Sequence, residues 1–314
     1  MARVVKHYSN REEWEAERKN GIGASDVPAI MCVSPFQTAS DIYMMKKGLK
    51  ESDPNNVYFK RGHLLEGSVA DWFSLETGAE IMANSVDDFH VWQNGEEWLR
   101  VSPDRFYYEQ GAHHNSVNQR VLEIKTTALR VDPNDIPLHW YVQLQTIMGV
   151  CGVGKGALAW LDGGLNFGCV YYDFNPSIFD KVKSRCRSFW FENVLAEVMP
   201  PVVNANDVKE RYSIATKDKA VEASNVELER IDELKRLKNE QKILESNIVD
   251  LEDKIKCAML DGETLTAPDG TVLATWRNSK PTMTFDKTLF KKENEELYKK
   301  YVVEGKPRRT FLLK

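Results

Sequence analysis

Residues 120–128 read "RVLEIKTTA", an aliphatic and β-branched run that carries Glu123 and Lys125 with only Ile124 between them. Side chains alternate across a strand, so this spacing puts Glu123 and Lys125 on one face and Leu122 and Ile124 on the other. A carboxylate and an ammonium then lie side by side on the sheet. Such a pair is either an ion pair or half of a metal site.

The preceding segment supplies a second acid. "EWLRVSPDRFYY" (residues 97–108) is predicted as a strand with "SPDR" at its centre, offering Asp104. Two carboxylates from adjacent strands can hold a hard divalent cation such as Mg²⁺, which takes oxygen ligands and keeps several waters. The main-chain carbonyl of Ile124 adds a third oxygen. A cation there lowers the pKa of a water and offsets charge on a scissile phosphate. Lys125 beside it would position or help deprotonate that water and stabilise the developing negative charge. The competing account is a solvated cross-strand pair, with Asp104 capping a turn. Glu-x-Lys by itself decides nothing, because the same pattern begins at Glu17, Glu233, Glu240, Glu252 and Glu304. Those five lie in helical or loop contexts, where residues two apart do not share a face.

The 314 residues suffice for a sizeable core and more than one folded unit. A net charge of −5 taken alone disfavours a nucleic-acid partner, since phosphate contacts need cations. Net charge is a poor test when cations gather on one face. The final stretch "FKKENEELYKKYVVEGKPRRTFLLK" does collect Lys and Arg, although the plain reading of such a run is a solvated helix face. With no long apolar run and no apolar signal core at the N-terminus, a cytoplasmic protein without a membrane span is expected. The five cysteines are scattered and show no Cys-x-x-Cys spacing, so they are expected to be buried thiols, not disulfides or zinc ligands.

Two parts are expected, residues 1–200 and 201–314, divided at "MPPVVNAND". In the first part "NREEWEAERK", "PLHWYVQLQTIMGV" and "NPSIFDKVKSRCRSFWFENVLAEV" read as helices. "RGHLLEGSVADWFSLETG" reads as an amphipathic helix closed by Gly78, and "GASDVPAIM" as a helix start with Ser25 or Asp26 near the N-cap. "GALAWLDGG" and "LNFGCVYYDF" read as a hairpin, completing a mixed α/β core. In the second part Leu234, Gln241, Ile248 and Ile255 alternate with Leu237, Leu244, Leu251 and Ala258 as an a/d heptad seam. Four heptads with Gln241 in a core slot are marginal for a free dimer, so the seam is expected to pack within the chain. "GETLTAPDGTVLATWR" reads as a hairpin turning at Asp269-Gly270.

In order along the chain, "GIGASDVPAIM", "RGHLLEG", "SPDR", "LEIKT" and "HWYVQLQTIM" resemble the motifs of the YqaJ-like viral recombinase family. These are phage-type alkaline exonucleases related to lambda exonuclease, within the PD-(D/E)xK nuclease superfamily. The resemblance covers roughly residues 11–200, and the tail from "IKCAMLDGE" through "RRTFLLK" resembles the C-terminal region of many members. It implies a restriction-endonuclease-like α/β core with a mixed central sheet flanked by helices, followed by a helical and hairpin extension. It also implies a Mg²⁺-dependent 5′→3′ exonuclease, with Mn²⁺ as a substitute metal, acting on linear double-stranded DNA ends. The products would be 5′-mononucleotides and a 3′ single strand passed to a single-strand annealing protein in recombination. The enzyme would be phage- or prophage-encoded, and homo-oligomeric as a ring trimer.

By the same resemblance Asp104 and Glu123 match the metal carboxylates, and Lys125 matches the catalytic lysine. Glu66 matches a supporting acid on an upstream helix, and Gln143 with Gln145 match helix glutamines that order the site. Arg18 and Ser25, seven residues apart, resemble a pair that grips a 5′-phosphate; an Arg guanidinium suits phosphate, and a serine near a helix N-terminus adds a hydroxyl and amides. Members often carry Gly after the first aspartate where this chain has Arg105, and the loop "EQGAHHNSVNQ" is long.

Two other motifs weigh against themselves. His113 and His114 are adjacent in a polar loop, as exposed histidines commonly are. "GVCGVGKG" has Walker A spacing at Gly149, Gly154 and Lys155, but Gly156 stands where Ser or Thr is needed, and a helix precedes it where a strand should. The rival functions are an inactive DNA-binding or assembly protein, and an endonuclease or junction resolvase of the same fold. Arg18 and Ser25 discriminate, because only an end-reading enzyme needs a 5′-phosphate grip.

Overall fold

The computed structural model describes residues 4–51, 56–82, 89–305 and 308–314. Two compact units emerge, Met1–Val208 and Lys209–Lys314. In the first, β1 (Val4–Tyr8), α1 (Arg11–Arg18), β2 (Ile22–Gly23), α2 (Val27–Ile30), α3 (Ala39–Lys46) and α4 (Val57–Thr77) precede β3 (Glu80–Ile81), β4 (Phe89–Gln93), β5 (Leu99–Arg100), β6 (Arg105–Tyr108) and β7 (Arg120–Thr127). There follow α5 (Leu138–Cys151), β8 (Lys155–Asp162), β9 (Asn166–Asp173), α6 (Pro176–Ser188) running into a π-helical turn at Phe189–Leu195, and α7 (Ala205–Arg211), which reaches the boundary between the units. The second unit holds α8 (Asn225–Met259), β10 (Thr264–Thr266), β11 (Val272–Thr275), α9 (Lys287–Glu293) and α10 (Glu295–Tyr301).

The central sheet has the order β3-β6-β7-β8-β9. β7 pairs antiparallel with β6 and parallel with β8, so the sheet is mixed, and α5 makes the crossover that a parallel pair requires. Each face is covered. Val121, Leu158 and Trp160 point to the α5 side, where Leu144, Ile147, Met148 and Val182 are buried with them. Leu122, Ile124, Ala157 and Ala159 point to the α4 side against Val69, Ala70 and Phe73. This alternation is the period-2 pattern of "RVLEIK" made physical, and each fully buried Leu or Phe contributes about 2 kcal/mol. It also fixes the direction of Glu123 and Lys125, which share the α5 face with Val121.

Several elements match the expected reading. Asn10 caps α1 through the Glu13 N–H, Gly78 closes α4 at φ 68°, and β8 and β9 form the hairpin with Asp162 opposite Asn166. The Walker-like glycines do other work. Gly149 lies inside α5, and a Cβ there would meet the Phe179 ring at 2.4 Å, so it lets α5 and α6 approach closely. Helix, turn and strand follow in that order, which is not a phosphate loop.

Two expectations are corrected and two are refined. "EWLRVSPDRFYY" is not one strand: β5 pairs with β2, and β6 belongs to the central sheet. Pro103 between them has no N–H to give a ladder. The α2 helix starts where expected, with Asp26, one of the two candidates, at its N-cap, but it is a single turn without a side-chain capping bond. Cys32 and Cys257 are exposed, although Cys151 and Cys186 are buried as expected and all five thiols are free. Among the described residues of its own unit nothing covers the heptad seam of α8: Leu237 is 47% exposed, Leu244 60%, Ile248 47% and Leu251 60%. Among the described residues no helix is long and apolar enough to cross a membrane. Lys306 and Pro307 of the basic tail lie outside the described residues.

Asp26 anchors the region after β2. Its carboxylate meets Lys46 Nζ at 2.5 Å and accepts the Gly23 N–H at 2.8 Å, with both charged side chains buried. Burial pushes the Asp26 carboxyl up, but Lys46 and Arg18, together with that Gly23 bond, outweigh it and hold the group below its usual range. A depressed carboxyl stabilises the fold above its unfolded pKa and loses that contribution as pH falls through the folded value. Asp26→Asn strands the Lys46 charge and is expected to cost about 3 kcal/mol at neutral pH. In urea denaturation that deficit should begin to shrink below about pH 4, where the unfolded-state carboxyl takes up a proton, and vanish once the depressed native carboxyl is protonated too; an equal deficit at every pH would refute the pairing.

Candidate active site

The site forms where β7 runs past the end of β6. Arg105 opposite Leu122 is the last ladder pair, so the Ile124 N–H has no β6 backbone to meet. Asp104 Oδ2 accepts that N–H at 2.7 Å instead. Because N–H and C=O of one strand residue point to the same edge, the Ile124 carbonyl faces the Asp104 side as well. On the α5 face, Lys125 Nζ lies 2.6 Å from Glu123 Oε1 and donates to Gln143 Oε1 at 3.0 Å. Gln143 Nε2 closes the triangle by donating to the same Glu123 oxygen at 2.6 Å. The other oxygen, Glu123 Oε2, is buried with no hydrogen-bond partner.

Charge crowding dominates the electrostatics. Burial, then the neighbouring Glu123 and Glu66 carboxylates, push the Asp104 carboxyl well above its ordinary range, against the pull of Lys125 and the Ile124 N–H. Burial opposes the Lys125 charge, yet Glu123 and Asp104 outweigh it and hold the ammonium above its usual value. Negative charge is in excess, which is what a cation site needs. Among the described residues no three His, Cys, Asp or Glu side chains converge tightly enough to hold a metal by themselves. Asp104, Glu123 and the Ile124 carbonyl form an all-oxygen set that fits a hard cation with water completing its shell. The orphaned Glu123 Oε2 is the observation that this set accommodates.

Glu66 approaches from α4, where Arg61 ties the helix to β7 by donating to the Thr126 carbonyl at 3.0 Å. Arg105 holds it: the guanidinium bonds Glu66 Oε1 and the Asp104 carbonyl, both at 2.5 Å. The residue that departs from the resemblance is therefore the one that brings Glu66 to Asp104. Gln145 is elsewhere. A helix turns about 200° over two residues, so Gln143 and Gln145 face apart. Gln145 is fully buried, donates to the Asp173 carbonyl at 3.0 Å and accepts the Asn175 N–H at 2.7 Å, pinning the turn from β9 into α6. His114 meets Glu80 at 2.8 Å and stacks on Tyr108, in a role of its own loop.

Arg18 and Ser25 do come together, with Arg18 Nη2 donating to Ser25 Oγ at 2.9 Å, and both are exposed. Arg100 sets their place by bonding the carboxylate and the carbonyl of Glu17, which ties the end of α1 to β5. β2 and β5 run parallel, Gly23 opposite Arg100. Ser25 follows one and Asp104 follows the other, so both leave the same end of one parallel pair.

Sequence reasoning missed Arg105 and His139. His139 lies one turn before Gln143 on α5, edge-on to Phe36 at 5.6 Å, and burial and then the Lys125 charge lower its pKa. The signal was its spacing of four from Gln143, which puts both on one helix face.

The model of the YqaJ-like viral recombinase domain matches residues 13–154. That segment is similar to this family. It spans every site residue just described, from Arg18 to Gln145. YqaJ, an uncharacterized protein of Bacillus subtilis (strain 168), is 28% identical over 267 residues, covering 81% of this chain and 80% of its own. Similar solved structures include an alkaline exonuclease (LHK-Exo) from Laribacter hongkongensis, at 17% identity and a TM-score of 0.45, covering 64% of this chain and 98% of that one. A phage related exonuclease from Haemophilus somnus 129PT is 11% identical with a TM-score of 0.40, covering 56% and 96% of the two chains.

Gln145 gives a clean test of placement. Gln145→Leu leaves a backbone donor and acceptor unpaired in the interior and is expected to cost about 2 kcal/mol of unfolding free energy. Urea denaturation measures it, and unchanged stability would mean the two bonds hold nothing.

Proposed function

We propose that this protein is a Mg²⁺-dependent 5′→3′ exonuclease that degrades linear double-stranded DNA to 5′-mononucleotides. The observation that carries the reading is the buried, unpartnered Glu123 oxygen beside Asp104 and Lys125. An orphaned carboxylate oxygen in the interior is costly unless something positive meets it. Asp104, Glu123 and the Ile124 carbonyl would hold Mg²⁺, with Mn²⁺ able to substitute. When bound, the ion lowers the pKa of a water and offsets charge at a phosphate.

The chain's own groups supply the rest. Lys125 keeps its proton beside Glu123 and presents Nζ to negative charge developing on the phosphate. Gln143 fixes both the lysine and the carboxylate, so neither must reorganise. Arg105 holds Glu66 within electrostatic reach of Asp104 and Lys125, where it adds to the negative field. Arg18 and Ser25 offer a guanidinium and a hydroxyl to a terminal 5′-phosphate, and this grip sets direction. The resemblance of the motifs and the match of residues 13–154 to the YqaJ-like viral recombinase domain support the exonuclease class. The 3′ strand left behind suits a single-strand annealing protein, and a ring trimer of the YqaJ-like domain would keep the enzyme on its DNA.

The test uses linear duplex labelled at one 5′ or one 3′ end, with Mg²⁺ or EDTA, and closed circles alongside. Mg²⁺-dependent release of mononucleotide from phosphorylated 5′ ends, with circles spared, is expected. Nicked circles would move the reading to an endonuclease, and binding without cleavage under any divalent metal would leave an inactive DNA-binding protein. Glu123→Gln is expected to abolish cleavage with the fold kept; retained activity would remove the metal assignment. Arg18→Ala is expected to lower turnover of 5′-phosphorylated ends about tenfold or more while sparing 5′-hydroxyl ends, the loss of one charge-assisted bond. Equal losses on both ends would reject the grip.

A further inference from the structure

We infer that α8 pairs with α8 of a second copy of this chain as an antiparallel coiled coil. The helix runs 35 residues and carries one buried residue, Met259. Its seam, Leu234 to Ala258, extends roughly 37 Å. The apolar seam residues Leu237, Leu244, Ile248, Leu251 and Ile255 all stand between 44% and 60% exposed. Within its own unit the seam is therefore continuous and largely uncovered, with a period that fits another helix and not a globular surface.

Charge on the flanks decides the orientation. Taking Leu234, Gln241, Ile248 and Ile255 as a positions, the flanking g and e positions are Glu233, Lys238, Glu240, Glu245, Asn247, Glu252 and Lys254. In a parallel pair each g meets the e of the following heptad. That gives Glu233 against the partner's Lys238, which is favourable, but Glu240 against the partner's Glu245, which is repulsive, and each contact occurs twice.

In an antiparallel pair e meets e and g meets g. Lys238 then faces the partner's Glu252, and Glu240 faces the partner's Lys254, each twice by symmetry. Asn247 meets its own copy, and only Glu245 faces a like charge, once. Such flanking pairs set partner choice and orientation more than raw stability.

The core closes in the same register. Leu234 stacks on the partner's Ala258, Gln241 on the partner's Leu251, Ile248 on the partner's Leu244 and Ile255 on the partner's Leu237. The short Ala258 meets a long leucine, where a parallel pair would set two alanines together and leave a gap. Gln241 costs stability in either arrangement. Within each helix Glu240, Lys254 and Glu252 already pair with Arg236, Asp250 and Lys256. Those contacts are exposed and weak, so sharing them across the interface costs little. The arrangement is two-fold and isologous, so it closes on itself and does not extend into fibres.

Light scattering on the full-length chain tests the pairing. The double variant Leu244→Glu with Ile248→Glu is expected to have half the wild-type mass, whatever oligomer the YqaJ-like domain forms. Equal masses would overturn the proposal. Orientation is read with Cys32→Ser and Cys257→Ser as background. Glu245→Cys is expected to form a covalent dimer under mild oxidation, because residue 245 faces its own copy only when the helices run antiparallel. Gln241→Cys is expected to stay monomeric on denaturing gels. The reverse result, crosslinking at 241 and not at 245, would overturn the antiparallel assignment, and crosslinking at neither would overturn the pair.

Discussion

The Asp104 carboxylate occupying the Ile124 N–H is the contact on which the site depends. A strand edge with an unmet N–H needs an acceptor, and the edge of β7 is unmet because the β6 ladder ends at Arg105 opposite Leu122. By supplying the acceptor from a side chain, the fold brings a carboxylate to the backbone of the strand that already carries Glu123 and Lys125. Arg105, next in sequence, turns to Glu66 and draws α4 into the same cluster. One local shortage of backbone partners thus gathers three acids and a lysine.

Gathering them has an electrostatic cost that burial magnifies. Asp104 resists ionisation, and Glu123 keeps one oxygen without a partner. The Lys125–Gln143 pair relieves part of the strain by occupying the other oxygen of Glu123. What remains is a pre-set deficit of positive charge in a rigid surround, since β7 is buried on both faces and cannot swing away. Preorganisation of this kind is what makes an electrostatic site effective, because no group has to move when charge develops.

The two units answer different needs. Met1–Val208 is built on buried alternation, and its chemistry hangs on strand ends. Lys209–Lys314 exposes most of what it has, and its longest element is a helix whose apolar side is a stripe. A stripe of this width is a recognition surface for another helix, so the second unit contributes association where the first contributes chemistry.

Much of the core was legible in residue order. The period-2 run at 120–128 gave the direction of Glu123 and Lys125, and the five ordered motifs pointed to the family whose model residues 13–154 match. The end of α4 was legible because a glycine marked it, at Gly78. Gln145 was misplaced because a shared motif hid a 200° turn between it and Gln143. The break at Pro103 was misread as strand centre, because alternation cannot reveal which sheet a short segment will join. Arg105 and His139 lay inside the motifs "SPDR" and "HWYVQLQTIM" without an assigned role, and only contacts between α4, α5 and the sheet expose one. The covering of the heptad seam was beyond the sequence too, because periodicity fixes which face is apolar and only packing decides what lies against it. Local pattern sets direction and period, since both follow from backbone geometry; convergence of charge depends on which elements end side by side, and that is decided only when the chain has packed.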